Sequence, residues 1–376
     1  MEQMGVEFTP GNQVKLLMSG KEKFADMFEA IRQAKSSVHL EYFNFRNDSI
    51  AFLLFDLLKE KRREGVEVRA MFDGFGNDSN NQPLKKRHLR QLRADSINIV
   101  EFDPVRFPWV NHIWPRDHRK IVVIDGKIAY TGGMNVADYY IVGTPQVGEW
   151  RDMHCRIEGP AVNDLQRIFA RIWKKATKED ITDLKYYCGK PAGDKLIGIV
   201  NREPHTTNRI MRRFYVQAID AAHDSIKLIN PYFTLTPSVR KALHRAIHRG
   251  VKVEIMVSAK SDIPLTPDVV YRNVHKMMKR GALIWLYQPG FHHSKIMMVD
   301  GLFCTVGSTN LDARSLRFDY EENALIVNRE TTRELDDMFD RDKQKSVLLT
   351  EEEWDRFRTP WQKFRGWFGS LLSPWL

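Results

Sequence analysis

Two segments of this chain share one pattern: HRKIVVIDGKIAYTGGMN begins at His118 and HSKIMMVDGLFCTVGSTN begins at His293. In each, a lysine stands five residues before an Asp-Gly pair, and an asparagine stands ten residues after that aspartate. The spacing from His118 to His293 is 175 residues, and from Asn135 to Asn310 it is again 175. Upstream, AIRQAKSSVHLEYFNF at 30–45 matches AIDAAHDSIKLINPYF at 218–233, and GVEVR at 65–69 matches GVKVE at 250–254. Two units of this size are not a solenoid; they predict a duplicated domain whose halves build one site.

The order of elements is expected to recur in both halves. Aromatic and β-branched runs at 38–45 and 66–72 read as strands around a helix at 49–64, followed by a basic helix at 83–94 and a strand near 97–102. IVVID and IAYTGG read as short buried strands, MHCRIEG as another, and 161–176 as a closing helix. The second half repeats this with helices at 209–222, 236–248 and 268–280 and strands at 225–230, 251–257 and 282–287. Strands this apolar need cover on both faces, which places the chain in the α/β class, two mixed sheets flanked by helices. GKPAGDKLIGIVNREPHTTN at 189–208 is rich in Gly, Pro and Asn and marks the join, dividing the chain into 1–190 and 191–376.

Composition narrows the partners. The formal charge of +10 favours an anionic one, nucleic acid or anionic lipid headgroups. No apolar run reaches the roughly 18 residues of a bilayer span, and the first residues lack a signal-peptide pattern. Cys155, Cys188 and Cys304 form no ligand-spaced group, and the twelve histidines are scattered, so neither a disulfide framework nor a metal site is expected.

If a strand begins at His118, alternation puts His118 and Lys120 on one face and Arg119 on the other, and His293 and Lys295 obey the same rule. Two imidazoles, two ammonium groups and two amides then make an electropositive site suited to a phosphoryl oxyanion. One histidine can attack phosphorus while the other, protonated, gives its proton to the leaving alkoxide. Lysines and asparagines would hold the non-bridging oxygens. No metal or other cofactor is needed.

These residues resemble the duplicated H-x-K-x(4)-D motif, followed by G-x-x-N, of the phospholipase D superfamily: His118, Lys120, Asp125, Gly132 and Asn135, then His293, Lys295, Asp300, Gly307 and Asn310. The resemblance implies a duplicated phospholipase D-like fold with the active site at a pseudo-two-fold interface. It implies His118 as nucleophile, His293 as general acid and base, and Asp125 and Asp300 as braces of the fold. It also implies a carboxylate behind each histidine, at Asp152 and Glu321, fixing the tautomer. Glu41 and Arg314 are candidates for the pocket wall.

Within the superfamily the chain is most similar to bacterial cardiolipin synthases, through DHRKIVVIDGKIAYTGGMN, WRDMHCRIEGPAV, NPYF at 230–233, GSTNLDARSL at 307–316 and SPWL at 373–376. That similarity implies a phosphatidyltransferase condensing two phosphatidylglycerol molecules to cardiolipin and glycerol, with a phospholipase D hydrolase or a nuclease of the same superfamily as alternatives, and a noncatalytic lipid-binding scaffold as a further class. Two membrane helices common at the start of such synthases have no counterpart in this sequence, and Asp117 replaces a common asparagine. The partners expected are anionic phospholipid and a membrane surface, on its cytoplasmic side, rather than nucleic acid; the oligomeric state is left open. Trp354, Trp361, Trp367 and Trp375, interleaved with Arg356, Arg358, Lys363 and Arg365, form an expected interfacial segment, with RFPWVNHIW at 106–114 as an apolar lip.

Overall fold

The computed structural model describes residues 5–105, 114–263 and 266–372; the lip at 106–114, apart from Trp114, and the terminal SPWL, with Trp375, lie outside these. Residues before 190 form β1 (Phe8–Leu17), β2 (Ser37–Tyr42), β3 (Glu67–Asp73), β4 (Asn98–Phe102), β5 (Ile121–Ile124), β6 (Ile128–Gly132), β7 (Glu149–Arg151) and β8 (His154–Glu158). Later residues form β9 (Lys195–Arg202), β10 (Ser225–Ile229), β11 (Lys252–Ser258), β12 (Leu283–Tyr287), β13 (Gly290–His292), β14 (Ile296–Val299), β15 (Phe303–Gly307), β16 (Glu321–Val327) and β17 (Ser346–Leu348).

From the central β9–β1 pair, one arm runs β8, β6, β5, β2, β3, β4 and the other β16, β15, β14, β10, β11, β12, with β17 on the end. In both arms the pairings nearest the centre are antiparallel, while β2–β3–β4 and β10–β11–β12 are parallel. The fold is α/β with mixed sheets and flanking helices. The two sheets expected are joined edge to edge, because β1 pairs with β9 at Phe8↔Gly198 and Thr9↔Ile197. That pairing corrects the reading of 189–208 as connection alone. KLIGIVNR inside it is a strand, and Gly198 is needed because a Cβ there would press on Val6 and Phe8 at 3.1–3.2 Å.

Period-two alternation sets the layers. Val122 and Ile124 of β5 pack with Phe24, Met27 and Ile31 of the helix Gly20–Gln33 and with Leu54 and Leu58 of Ser49–Arg63. Ile121 and Val123 turn the other way, into a core shared with Met298, Val306 and Ala324 of the other arm. A one-residue slip would exchange these faces, so the register of the motif strands is fixed by burial.

Each motif's Asp-Gly makes the hairpin turn that follows. Asp125 and Gly126 have φ of 53° and 63°, Asp300 and Gly301 of 53° and 60°, which is type I′ geometry. The Asp125 carboxylate accepts from the N–H groups of Lys35, Ser36 and Ser37 at 2.7–2.9 Å. Asp300 does the same for His223, Asp224 and Ser225 at 2.8–2.9 Å. Each aspartate thereby pins the turn onto the start of the neighbouring antiparallel strand, β2 or β10.

The final segment differs from expectation in part. Trp354 is buried and stacks on His275 with ring centroids 4.2 Å apart. Arg358 and Arg365 both pair with Asp268, and Lys363 with Asp355, so these cations are engaged with carboxylates rather than free. Gly366 and Gly369 set the helix Pro360–Leu372 close against Asp268 and Val269. This leaves Trp361, Phe364 and Phe368 at 63%, 50% and 52% exposure on the outer face.

Replacing Asp125 by Ala removes four charge-assisted hydrogen bonds, three from backbone N–H groups and one from the Ser36 hydroxyl, and puts an alanine at positive φ. The expected loss is about 3 kcal/mol in urea denaturation with an unchanged m-value, and Asp125→Asn, which tolerates that φ, is expected to lose about half as much.

Candidate active site

The two histidines meet because each motif docks onto a strand of the opposite half. Asp117 forms a parallel bridge with Tyr320, and the N–H of His118 donates to the Tyr320 carbonyl at 3.1 Å. β13 pairs in parallel with β7, and the N–H of His293 donates to the Arg151 carbonyl at 2.6 Å. The residues following those two carbonyls are Glu321 and Asp152. Hence Nδ1 of His118 faces Glu321 at 3.1 and 3.3 Å, while Nδ1 of His293 faces Asp152 at 2.7 Å. The carboxylate behind each histidine is crossed over from the other half and engages Nδ1, so that each Nε2 faces away from its carboxylate, that of His293 with Lys295 Nζ beside it. The strand expected from His118 starts three residues later, at Ile121, so the histidine sits on the extended entry to it.

The lysines lie against their own histidines: Lys120 Nζ donates to the His118 carbonyl and Lys295 Nζ to that of His293. Lys295 Nζ is also 2.8 and 3.1 Å from the ring nitrogens of His293. Asn135 and Asn310 are both buried, with the Asn310 Oδ1 lacking a hydrogen-bond partner among the described residues.

Other candidates divide. Asp125 and Asp300 are committed to the turns described above. Glu41 is spent on an ion pair with Arg119 at 2.7 Å, on the strand face opposite His118. Asp117 also pairs with Arg119, at 3.1 Å, so its charge is compensated. The Arg314 guanidinium packs 4.4 Å from the Trp114 ring and pairs with Asp319 at 2.9 Å, leaving Nη2 without a hydrogen-bond partner among the described residues.

Three groups escaped the reading of the sequence. Lys23 is buried, donates to the Asn135 carbonyl at 3.2 Å and stands 4.1 Å over the Phe24 ring. Its signal was a lysine four residues before Met27 on the apolar face of Gly20–Gln33. Trp150 and Phe291 join Tyr232, itself a pocket candidate from the repeated segment, in ringing His293 with centroids 5.3–5.8 Å away, whereas His118 has Phe43 at 5.1 Å. Glu322, accepting from Thr131 of the first motif and Ser308 of the second, is the third. Among the described residues, no group of three or more His, Cys, Asp or Glu is placed to hold a metal ion.

The family described as "Cardiolipin synthase, PLD-like domain" matches residues 27–173 and 215–343, which include both motifs. The chain belongs to the phospholipase D superfamily. A probable cardiolipin synthase of Bacillus subtilis is 35% identical over 90% of this chain and 67% of its own. A cardiolipin synthase of Oceanobacillus iheyensis is 35% identical over 98% of this chain and 76% of its own. A crystal structure of phosphatidylserine synthase from Haemophilus influenzae has a TM-score of 0.77 at 16% identity, covering 100% of this chain and 99% of its own, a likeness of fold. Membership brings phosphatidyl-transfer or hydrolase chemistry to the site.

The electrostatics of this phospholipase D-type site are unequal between its sides. Burial, with Lys120, Lys295 and His293 adding to it, holds the His118 imidazole well below its ordinary value. Burial and Lys295 also lower His293, but Asp152 works against them. Burial would raise Asp152 itself; Lys295 and His293 outweigh it and leave that carboxyl below the usual range. Glu321, by contrast, is pushed by burial to about 7 against the pull of Lys120. His118 is therefore kept neutral, while His293 has an ionised partner ready to support an imidazolium.

Burial brings Lys120 and Lys295 each down to about 8, the nearby carboxylates limiting the fall. Their ammonium forms are present below that value and lost above it. Turnover of an anionic phosphodiester is expected to decline through about pH 8. Lys295→Arg should make that decline shallower, Lys120 still losing its proton there, at a reduced maximal rate, because guanidinium stays charged but does not reproduce the ammonium geometry.

Proposed function

We propose that this chain is a phosphatidyltransferase of the cardiolipin synthase type, joining two phosphatidylglycerol molecules into cardiolipin and releasing glycerol. The observation that carries this is the crossed pair of histidines, one neutral and one backed by an ionised carboxylate, inside a ring of buried ammonium groups. In this reading residues 1–190 and 191–376 are the duplicated halves, related by a pseudo-two-fold axis through the site. The matching strand order of the two arms supports it.

His118 Nε2 attacks the phosphorus of the first lipid, forming a P–N bond as the P–O bond to glycerol breaks. His293 gives its proton to the departing oxygen. Lys120, Lys295, Asn135 and Asn310 hold the non-bridging oxygens, and the free Nη2 of Arg314 is a further donor to them. Glu321 and Asp152 accept from Nδ1–H and keep each Nε2 turned to the reaction. The neutral His293 then takes the proton of a hydroxyl on the second lipid as its oxygen displaces His118 from phosphorus. Asp125 and Asp300 stay remote and hold the turns.

The protein works at a membrane surface. No helix among the described residues is long and apolar enough to cross a bilayer. A peripheral contact is supported by the outer aromatic face of Pro360–Leu372, and by Ile141 and Val142, the latter 79% exposed, just after Tyr139, whose ring lies 4.4 Å from Trp150. Anionic headgroups suit the +10 charge.

Vesicles of phosphatidylglycerol incubated with pure protein are expected to yield cardiolipin and glycerol in equal amounts by mass spectrometry. Phosphatidic acid alone would replace the transferase by a hydrolase. His293→Asn should slow transfer by about 10²–10⁴-fold yet still form a phosphatidyl adduct from a donor with a very good leaving group, and His118→Asn should abolish the adduct in intact-mass measurement. An adduct that survives loss of His118 and vanishes with loss of His293 reverses the two roles.

A further inference from the structure

The His293 side of the site carries a pair of groups that the His118 side lacks. Tyr232 sits with its ring 5.8 Å from the imidazole, edge-on, and its hydroxyl donates to Asp262, whose two oxygens are both 2.8 Å away. In the first half, Asn44 occupies the place of Tyr232 in the repeated segment, and its backbone N–H bonds to Asn135 Oδ1 at 3.4 Å. The loop bearing Asp262 is held by Gln146, whose Nε2 reaches the carbonyls of Ser261 and Asp262 at 3.1 and 3.4 Å. Asp262 has no ion-pair partner among the described residues, and its charge acts on both His293 and Lys295.

A carboxylate at this place serves the phosphate poorly, since like charges repel. It is an acceptor of hydrogen bonds with no proton to give, so the ligand it suits is a neutral group rich in hydroxyls. Its donors among the described residues, the Tyr232 hydroxyl and the Ser261 hydroxyl 3.5 Å from Oδ1, leave lone pairs on both oxygens unused. Trp150 and Phe291 wall the His293 side with apolar surface, while Asp262 itself is half-buried and open to a ligand hydroxyl.

We infer that Asp262, oriented by Tyr232, is the seat of the acceptor alcohol, taking a hydrogen bond from one hydroxyl of a glycerol-type headgroup while a second hydroxyl faces Nε2 of His293. This rests on the phosphatidyl-transfer reading above. In the second step the acceptor proton goes to His293, the P–N bond at His118 breaks and the new P–O bond forms. Asp262 takes no proton; it selects which hydroxyl compound stands in line. A one-hydroxyl acceptor uses only the His293 contact, and a polyol uses both.

The test measures how the phosphatidyl group is shared between water and added alcohol, a ratio that does not depend on how much of a preparation is active. The full chain is given phosphatidylglycerol vesicles with either deuterated glycerol or methanol, and phosphatidylalcohol and phosphatidic acid are quantified by mass spectrometry. Asp262→Asn is expected to lower the glycerol-to-water ratio by about tenfold or more, the methanol-to-water ratio moving less than about twofold. Tyr232→Phe, which keeps the ring and loses the donor, should shift the glycerol ratio in the same direction by a smaller factor. An unchanged glycerol ratio in Asp262→Asn overturns the inference, and so does an equal fall for glycerol and methanol, which would mean that the residue only excludes water. If the parent protein forms no phosphatidyl product with any acceptor, the transfer reading falls and takes this inference with it.

Discussion

The site depends on one reciprocal contact: the segment before each motif strand hydrogen-bonds to the strand that delivers the other half's carboxylate. His118 is tied to Tyr320 and Glu321, and His293 to Arg151 and Asp152. Backbone and side chain are thus fixed by the same two consecutive residues, the main-chain bond placing each histidine and the carboxylate fixing the orientation of its ring. The central β1–β9 pair and the apolar core shared by the two arms bring these segments into register. The sheet is in this sense the positioning device, and the catalytic-type side chains are its furthest extension.

Around that contact the protein buries an unusual load of charge. Arg119 answers Glu41 and Asp117, Glu322 sits between the motif loops, and Lys23, Lys120 and Lys295 are all inside. Dehydrated charges are costly, and only dense mutual pairing keeps them ionised. The arrangement stabilises the fold little. What it supplies is a fixed field that meets a phosphodiester without waiting for solvent to reorganise. Several groups are held near neutrality, Glu321 at about 7 and Glu322 at about 8, so modest changes of environment alter their charge.

Much of the architecture could be read from periodicity. The helix expected at 49–64 is Ser49–Arg63, that at 236–248 is Pro237–His248, and the apolar runs of both motifs are the strands on which the site is hung. What escaped depended on the path of the chain. KLIGIVNR lies among turn-forming residues and gains its strand identity from the partners on its two sides, Phe8–Leu17 and Glu321–Val327. Asp152 and Glu321 were visible as positions, yet nothing in linear order tells which histidine each serves, since the crossing is decided by two parallel bridges far apart in sequence. Lys23 was hidden because a lone lysine beside Phe24 reads as helix surface until the facing element is known. The terminal segment was legible in its aromatics and misleading in its cations, because Asp268, the partner of two of them, lies about ninety residues earlier.

The two motifs differ at positions that go together. Where the first has Gly133, the second has Ser308. A Cβ at Gly133 would lie 2.2 Å from Asp152 Oδ1, whereas the Ser308 hydroxyl donates to Glu321. The shorter carboxylate thus goes with a missing side chain, and the longer one with a hydroxyl that tethers it. Residues 133 and 152 therefore constrain each other, and so do 308 and 321: a side chain at 133 would meet the Asp152 carboxylate, and without the Ser308 hydroxyl Glu321 would lose a donor. The two histidines are thus backed by acids held in two different ways, one by crowding and one by a tether, and a change at either small residue is felt at the imidazole of the opposite motif.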